Sequence, residues 1–160
     1  MNETTWKDVV AAEVGHIFID EFDENVRFLV LRSRASLCAY LGVPVGHPLA
    51  GFSCELLPIH AHGGLTYAGA GEGEMRPKDF YWYGWDYGHC DDYFIFYDDP
   101  KMAHIFTGDR HANETKWTPE MVKKDSWEAI YEFKALMKLT EAVAARSQAA
   151  KKEEPCPKTS

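Results

Sequence analysis

The sequence predicts an α+β fold in which a small, mostly antiparallel sheet is packed by a long C-terminal helix. Short apolar and aromatic segments, separated by stretches rich in Pro and Gly, fill the first two thirds of the chain, as is typical of strands joined by turns. A helical pattern of apolar residues begins after Thr118. The length of 160 residues suits one domain. We expect residues 1–146 to form this domain and residues 147–160 to be a disordered tail, because the tail is poor in apolar residues.

The first half of the chain contains a short helix and several strand candidates. In "TTWKDVVAAEV", Thr5 can cap a helix and Asp8 stands at the capping-box position. Residues 25–43 alternate in part and are rich in β-forming side chains, which predicts two strands joined near residues 33–35 as a hairpin. After a loop over residues 44–52, "PIHAHGG" is the third strand candidate, turning at Gly63–Gly64 into "LTYAG" as a second hairpin.

The second half contains the most aromatic segment and the clearest helix. A polar, Gly-rich loop over residues 69–79 precedes "FYWYGWDY", a predicted strand in which Gly84 indicates a bulge or a close backbone approach. "YFIFY" is a further strand candidate. Thr118 and Pro119 suit the N-cap and first position of a helix whose apolar residues recur at three- and four-residue steps as far as Ala144.

The composition restricts the classes of partner. Lys and Arg total 17 against 25 for Asp and Glu, a formal net charge of −8, so the surface repels phosphate backbones and we expect no direct binding to nucleic acid. No apolar run approaches a membrane span, and no basic region followed by an apolar run begins the chain. The four cysteines form no C-x-x-C pair. We therefore expect a cytoplasmic protein with reduced thiols and no membrane partner.

Two polar segments carry the candidate catalytic residues. On a strand, His60 and His62 would point the same way and could bind one metal ion or flank one substrate group, although one could equally be structural and the other solvated. Asp86, His89 and Asp92 follow a three-residue step that can gather two carboxylates and an imidazole. Such a cluster suits general acid–base work, with a carboxylate orienting the imidazole. The alternative is that these aspartates serve only as turn and capping residues.

Glycines and aromatics near these segments suggest ligand contacts. The backbone amides of Gly63 and Gly64 could approach an anionic group, although most Gly-Gly pairs are only turns. Tyr40 and Trp85 are candidates for stacking on a planar ligand such as a base. About half of the aromatics are expected to fill the core instead.

Three segments together resemble an uncharacterised family of small proteins encoded by bacteriophages and prophages: "SLCAYLGVPVGHPLAG", "HAHGGLTYAG" and "WYGWDYGHCDDY". The resemblance covers about residues 28–93 and includes the H-G-G-L-T and G-W-D-x-x-H-x-x-D-Y patterns. The matching positions are Cys38, Tyr40, Gly42, Pro44, His47, His62, Gly63, Gly64, Asp86, His89 and Asp92. His60 lies outside the pattern, which favours His62 alone over a paired-histidine metal site. The resemblance implies a phage context, hence the cytoplasm of a host cell, and implies no reaction.

The leading hypothesis is a phage-encoded domain that binds a nucleotide-like small molecule and, in its enzymatic form, hydrolyses it, by analogy with phage proteins that oppose host defence signalling. His89 or His62 would be the general base, Asp86 would orient it, and the glycine amides would hold an oxyanion. In a variant, a divalent metal is held by His62, His89 and Asp92. The alternatives are a non-catalytic sponge that sequesters the same ligand, and an acidic inhibitor that binds a basic host protein. The sequence leaves the ligand and the oligomeric state open.

Overall fold

The computed structural model describes residues 3–106 and 113–153. Its strands and longer helices are, in chain order, α1 (Trp6–Ala11), β1 (Ile17–Asp23), β2 (Val26–Arg32), β3 (Leu37–Pro44), β4 (Tyr67–Ala70), β5 (Phe80–Asp86), α2 (Pro119–Asp125) and α3 (Trp127–Glu153). The strands form one antiparallel sheet in the order β1-β2-β3-β5-β4. The predicted α+β class, with a small antiparallel sheet and a long C-terminal helix, is confirmed.

Several local predictions are confirmed by side chains that the sequence had indicated. Thr5 and Asp8 form a complete capping box at the start of α1. The hairpin between β2 and β3 turns at Ser33–Ser36, where the Ser33 hydroxyl donates to the Ser36 carbonyl. Thr118 caps α2, and Pro119 is the first residue of that helix. These features form because each depends on residues only a few positions apart.

Strand β1 has no counterpart among the predicted elements. Among the described residues it is an edge strand that pairs with β2 alone, and its residues from Asp20 to Asp23 are exposed. Its acidic residues and its exposure hide the hydrophobic alternation by which a strand is recognised. The strand is therefore defined by its backbone pairing with β2 and not by a pattern of side chains.

Two predicted strands are wrong. The segment "PIHAHGG" forms no strand, because the backbone N–H of His60 donates to the Glu132 side chain instead of to a neighbouring strand. The "LTYAG" segment does supply a strand, but β4 pairs with β5 instead of with the histidine segment. "YFIFY" contains a short 3-10 helix, Ile95–Tyr97, rather than a strand. There the Ile95 N–H donates to the Ala35 carbonyl, anchoring the segment on the β2–β3 turn.

The helical region differs from the predicted single helix in two ways. It breaks at Ser126, whose hydroxyl donates to the Val122 carbonyl, so that α2 and α3 are separate helices. Helix α3 then continues to Glu153, so residues 147–153, expected to belong to the tail, are helical. Residues 154–160 lie outside the described residues.

The sheet is buried on both faces. Helices α2 and α3 cover one face with Val122, Ala129, Phe133 and Met137, which pack with alternate residues of β2, β3 and β5. The other face carries a second cluster formed by Leu29, Leu31, Cys38, Tyr40, Phe80 and Trp82. A side chain at Gly84 would lie 2.5 Å from the Tyr40 ring, so this glycine marks the close approach that its position predicted. Within the described residues, no helix combines the length and the apolar character needed to cross a bilayer.

Candidate active site

The centre of the site is a contact between His62 and Asp92. The Nε2 atom of His62 lies 2.8 Å from the Asp92 carboxylate. His62 comes from the loop that precedes β4, and Asp92 comes from the loop that follows β5. These loops meet at the end of the sheet where β5 finishes, so the fold brings together two residues that are 30 positions apart.

Asp92 is buried, and both of its carboxylate oxygens accept hydrogen bonds. One carboxylate oxygen accepts from the Trp117 indole N–H at 2.6 Å. The other accepts from the His89 backbone N–H at 2.9 Å and faces His62 Nε2. Only 2% of the residue is exposed. The indole and the backbone N–H can act only as donors, so each carboxylate oxygen of Asp92 already faces a donor, as suits the ionised group.

This arrangement fixes the tautomer of the His62 ring. Since ionised Asp92 can only accept, the Nε2 atom of His62 carries a proton and Nδ1 keeps its lone pair in the neutral ring. Nδ1 faces a second carboxylate, that of Asp125, at 3.9 Å. That distance is too long for a hydrogen bond, and no other described residue bonds to Nδ1, so its lone pair is available. Two carboxylates thus flank the ring, one near each nitrogen.

Aromatic rings hold His62 in this orientation. Its ring stacks on Tyr87 with centroids 4.5 Å apart and planes 15° apart, and it meets the edge of Trp117 at 5.1 Å. The Tyr87 hydroxyl lies 3.0 Å from Asp125 and 3.2 Å from Ser126. Burial raises the pKa of Tyr87, so its phenol stays neutral and can donate to Asp125. The His62 side chain is still 23% exposed, so a ligand can reach it.

His89 lies beside His62 and above the glycine turn. The two imidazole centroids are 5.6 Å apart. His89 Nε2 is buried and makes no hydrogen bond with any described residue, since Asp86 is 3.7 Å away. Gly63 has φ +65°, and a Cβ there would lie 2.1 Å from that nitrogen. Glycine is therefore required at this position both by the backbone and by the ring.

The structure brings four of the predicted site residues and the glycine turn into one cluster, with roles that differ from those expected. Asp92, not Asp86, orients His62. Asp86 instead accepts from the Gly88 N–H as a local turn residue. The Gly64 N–H donates to the Ala61 carbonyl within its own turn, so it is not available to hold an anion.

The two predicted stacking residues lie apart from this cluster. Tyr40 belongs to the opposite face of the sheet, where Arg76 lies over its ring, because successive residues of a strand alternate between faces. Trp85 is buried in the core with 2% of its surface exposed. Its indole N–H donates to the Tyr87 hydroxyl at 3.3 Å, which links it to the site through that residue.

A groove is lined in part by Trp117 and Asp125, which also flank His62. Its volume is about 550 Å³, and it is lined by Trp117, Met121, Lys124, Asp125, Trp127 and Glu128. Trp127 is 72% exposed, so a large aromatic face is open to solvent there. Lys124 is exposed and forms no ion pair with any described residue. The groove thus offers aromatic faces and a lysine that has no ion pair within the part of the chain that the structure describes, beside two residues that flank His62.

Sequence reasoning missed Tyr87, Trp117 and Asp125 as site residues. Tyr87 was visible only as one aromatic among many in its segment. Trp117 and Asp125 lie 25 and 38 positions from the residues they contact, Asp92 and Tyr87 respectively. No local spacing could have linked them to the site.

The expected metal ligands do not converge. Among residues 3–106 and 113–153, the His, Asp, Glu and Cys side chains whose ligand atoms all lie within 4.8 Å of one another are those of His60, Glu128 and Glu132, and not those of His62, His89 and Asp92. Hydrogen bonds from the Trp117 indole and the His89 backbone already occupy both carboxylate oxygens of Asp92.

Comparisons with protein-family models, with curated proteins and with solved structures gave no match to this chain. The side chains of the site are therefore the basis for proposing a function.

Proposed function

We propose that the chain is a small phage-encoded hydrolase of nucleotide-like molecules, in which His62 is the general base. The observation that carries this proposal is the hydrogen bond between His62 and the buried Asp92 carboxylate. A carboxylate that holds one ring nitrogen leaves the other nitrogen free to take a proton from water, and it stabilises the imidazolium that results. The phage context comes from the resemblance of residues 28–93 to phage and prophage proteins.

The position of Asp125 supports proton transfer at Nδ1. A water molecule between His62 Nδ1 and the Asp125 carboxylate could donate one proton to each, since these atoms are 3.9 Å apart. Asp125 is itself oriented by the Tyr87 hydroxyl. The attacking oxygen would thus be placed by two fixed groups, which lowers the entropic cost of reaching the transition state.

The groove supports the ligand class. Trp117 and Trp127 offer surfaces on which a planar base can stack, and Lys124 offers a positive charge for a phosphate. This local cation matters because the chain as a whole carries a net charge of −8. A small anion can bind next to one free ammonium group where a nucleic-acid backbone would be repelled.

The test is a turnover assay on a panel of nucleotides, cyclic nucleotides and dinucleotides, with products separated by chromatography. We expect His62→Gln to lower turnover by about 100-fold or more, since a positioned base contributes roughly 10²–10⁴-fold. His104→Gln is the matched control, because His104 is exposed and lies outside the site. Turnover that is unchanged in His62→Gln would refute the proposal. A ligand that is released intact when the protein is denatured would favour the sequestering alternative.

A further inference from the structure

A second group of ligating side chains lies outside the His62 site. It consists of His60, Glu128 and Glu132, each of which offers one ligand atom, and these atoms all lie within 4.8 Å of one another. Glu128 and Glu132 are one turn apart on α3, so their side chains leave the helix on the same face. His60 comes from the loop that lies against this face.

The backbone already holds this group together. The His60 N–H donates to one Glu132 oxygen at 2.7 Å, and the His60 Nδ1 lies 2.6 Å from the other oxygen. The loop is therefore tied to the helix at two points. His60 and Glu132, fixed in this way, lose less conformational entropy on binding an ion than two independent surface side chains would.

The charges of the group favour a cation. The ligand atoms of both carboxylates lie within 4.8 Å of that of His60, so two acidic groups converge on one imidazole. The Glu128 side chain forms no hydrogen bond or ion pair with any described residue. The His60 side chain is 78% exposed, which leaves a route for an ion to enter.

We propose that His60, Glu128 and Glu132 bind one divalent transition-metal ion of the zinc class. One imidazole nitrogen and two carboxylate oxygens are ligands that zinc accepts. Three protein ligands leave at least one coordination position open to water, as in metal sites that are not closed by the protein. The ion would sit at the rim of the groove, because Glu128 also lines it. This inference does not rest on the proposed hydrolase activity.

The experiment is a titration of the chelator-treated full chain with zinc sulfate, followed by calorimetry and by two-dimensional amide NMR. We expect one ion per chain, with the largest shifts at His60 and around Glu128 and Glu132. Glu128→Gln should weaken binding by at least about tenfold, the lower end of the loss seen when even an outer partner of a metal ligand is removed. Glu141→Gln is the matched control, since it is the same change on the same helix and lies outside the group.

Three results would overturn the proposal. The first is the absence of binding at millimolar zinc. The second is an affinity for zinc that equals that of the native chain in both Glu128→Gln and His60→Ala. Two variants are used so that the test still holds if one of them fails to fold. The third is a set of shifts centred on His62 or on the exposed Cys90, which would place the ion elsewhere. None of these results depends on turnover, so failure here is distinguishable from failure of the proposed function.

Discussion

Replacing Asp92 with asparagine tests the central hydrogen-bond network most directly. The native carboxylate accepts from three donors: the Trp117 indole N–H, the His89 backbone N–H and the Nε2 proton of His62. An amide has one oxygen, and its NH₂ group can only donate. Whichever way the substituted amide is turned, at least one buried N–H faces another donor.

The expected loss follows from this count. A hydrogen bond to a charged acceptor contributes about 1.5–3 kcal/mol, and here one such bond is replaced by a donor–donor contact. We expect Asp92→Asn to lower the free energy of unfolding by at least this amount. For a domain of this size the midpoint of thermal unfolding should fall by about 3–12 °C. The neutral amide can also donate to His62, which would move the ring proton to Nδ1 and remove the base.

The assay is urea denaturation followed by circular dichroism, with nitrogen NMR of labelled histidine to report the His62 tautomer. Asp91→Asn is the matched control, because Asp91 is exposed and its φ of +73° is one that asparagine tolerates. We expect the control to be within about 0.5 kcal/mol of the native chain, as for ordinary surface changes. Equal stabilities for the two variants, with an unchanged His62 tautomer, would show that the described network does not hold the site.

Two further predictions concern the glycine turn and the acid sensitivity of the fold. Gly63→Ala should lower the free energy of unfolding more than Gly64→Ala in the same urea assay. Both glycines have positive φ, but only an added Cβ at Gly63 would collide with His89. Equal losses of stability in the two variants would argue against that contact. The Lys101 backbone N–H lowers the pKa of the Asp99 carboxyl from its usual 3.8. Ionised Asp99 therefore stabilises the fold at pH values above 3.8, and this stabilisation is lost as the pH falls through the lowered pKa. Stability measured from pH 5 to pH 2 should therefore fall less steeply in Asp99→Asn, and parallel profiles would contradict the assignment.

The elements that the sequence predicted correctly are those that nearby residues determine. The capping box from Thr5 to Asp8 spans four residues, and the β2–β3 hairpin follows from two apolar segments around a serine-rich turn. The Thr118 cap belongs to the same class. Each has a local physical cause, so the sequence alone was sufficient.

The elements that were missed or wrong depend on distant partners. Strand β1 exists because β2 offers it backbone hydrogen bonds, although its own side chains are largely exposed. The "PIHAHGG" segment has a strand-like alternation, yet its backbone bonds to Glu132, which is 72 positions from His60. Helix α3 passes residue 146 because the Ala- and Lys-rich sequence after it has high helix propensity, a feature that low apolar content concealed.

In the candidate site, too, some features follow from local sequence and others depend on distant residues. The sequence by itself determined that His62, His89, Asp92 and a glycine turn were available, since these residue types and their spacing suit acid–base chemistry. Only the tertiary structure decided that Asp92 is the partner of His62. It did so by burying Asp92 under Trp117, a residue that local spacing could not connect to it. A buried carboxylate is stable only when hydrogen-bond donors surround it, and in this fold the donors come from three separate loops.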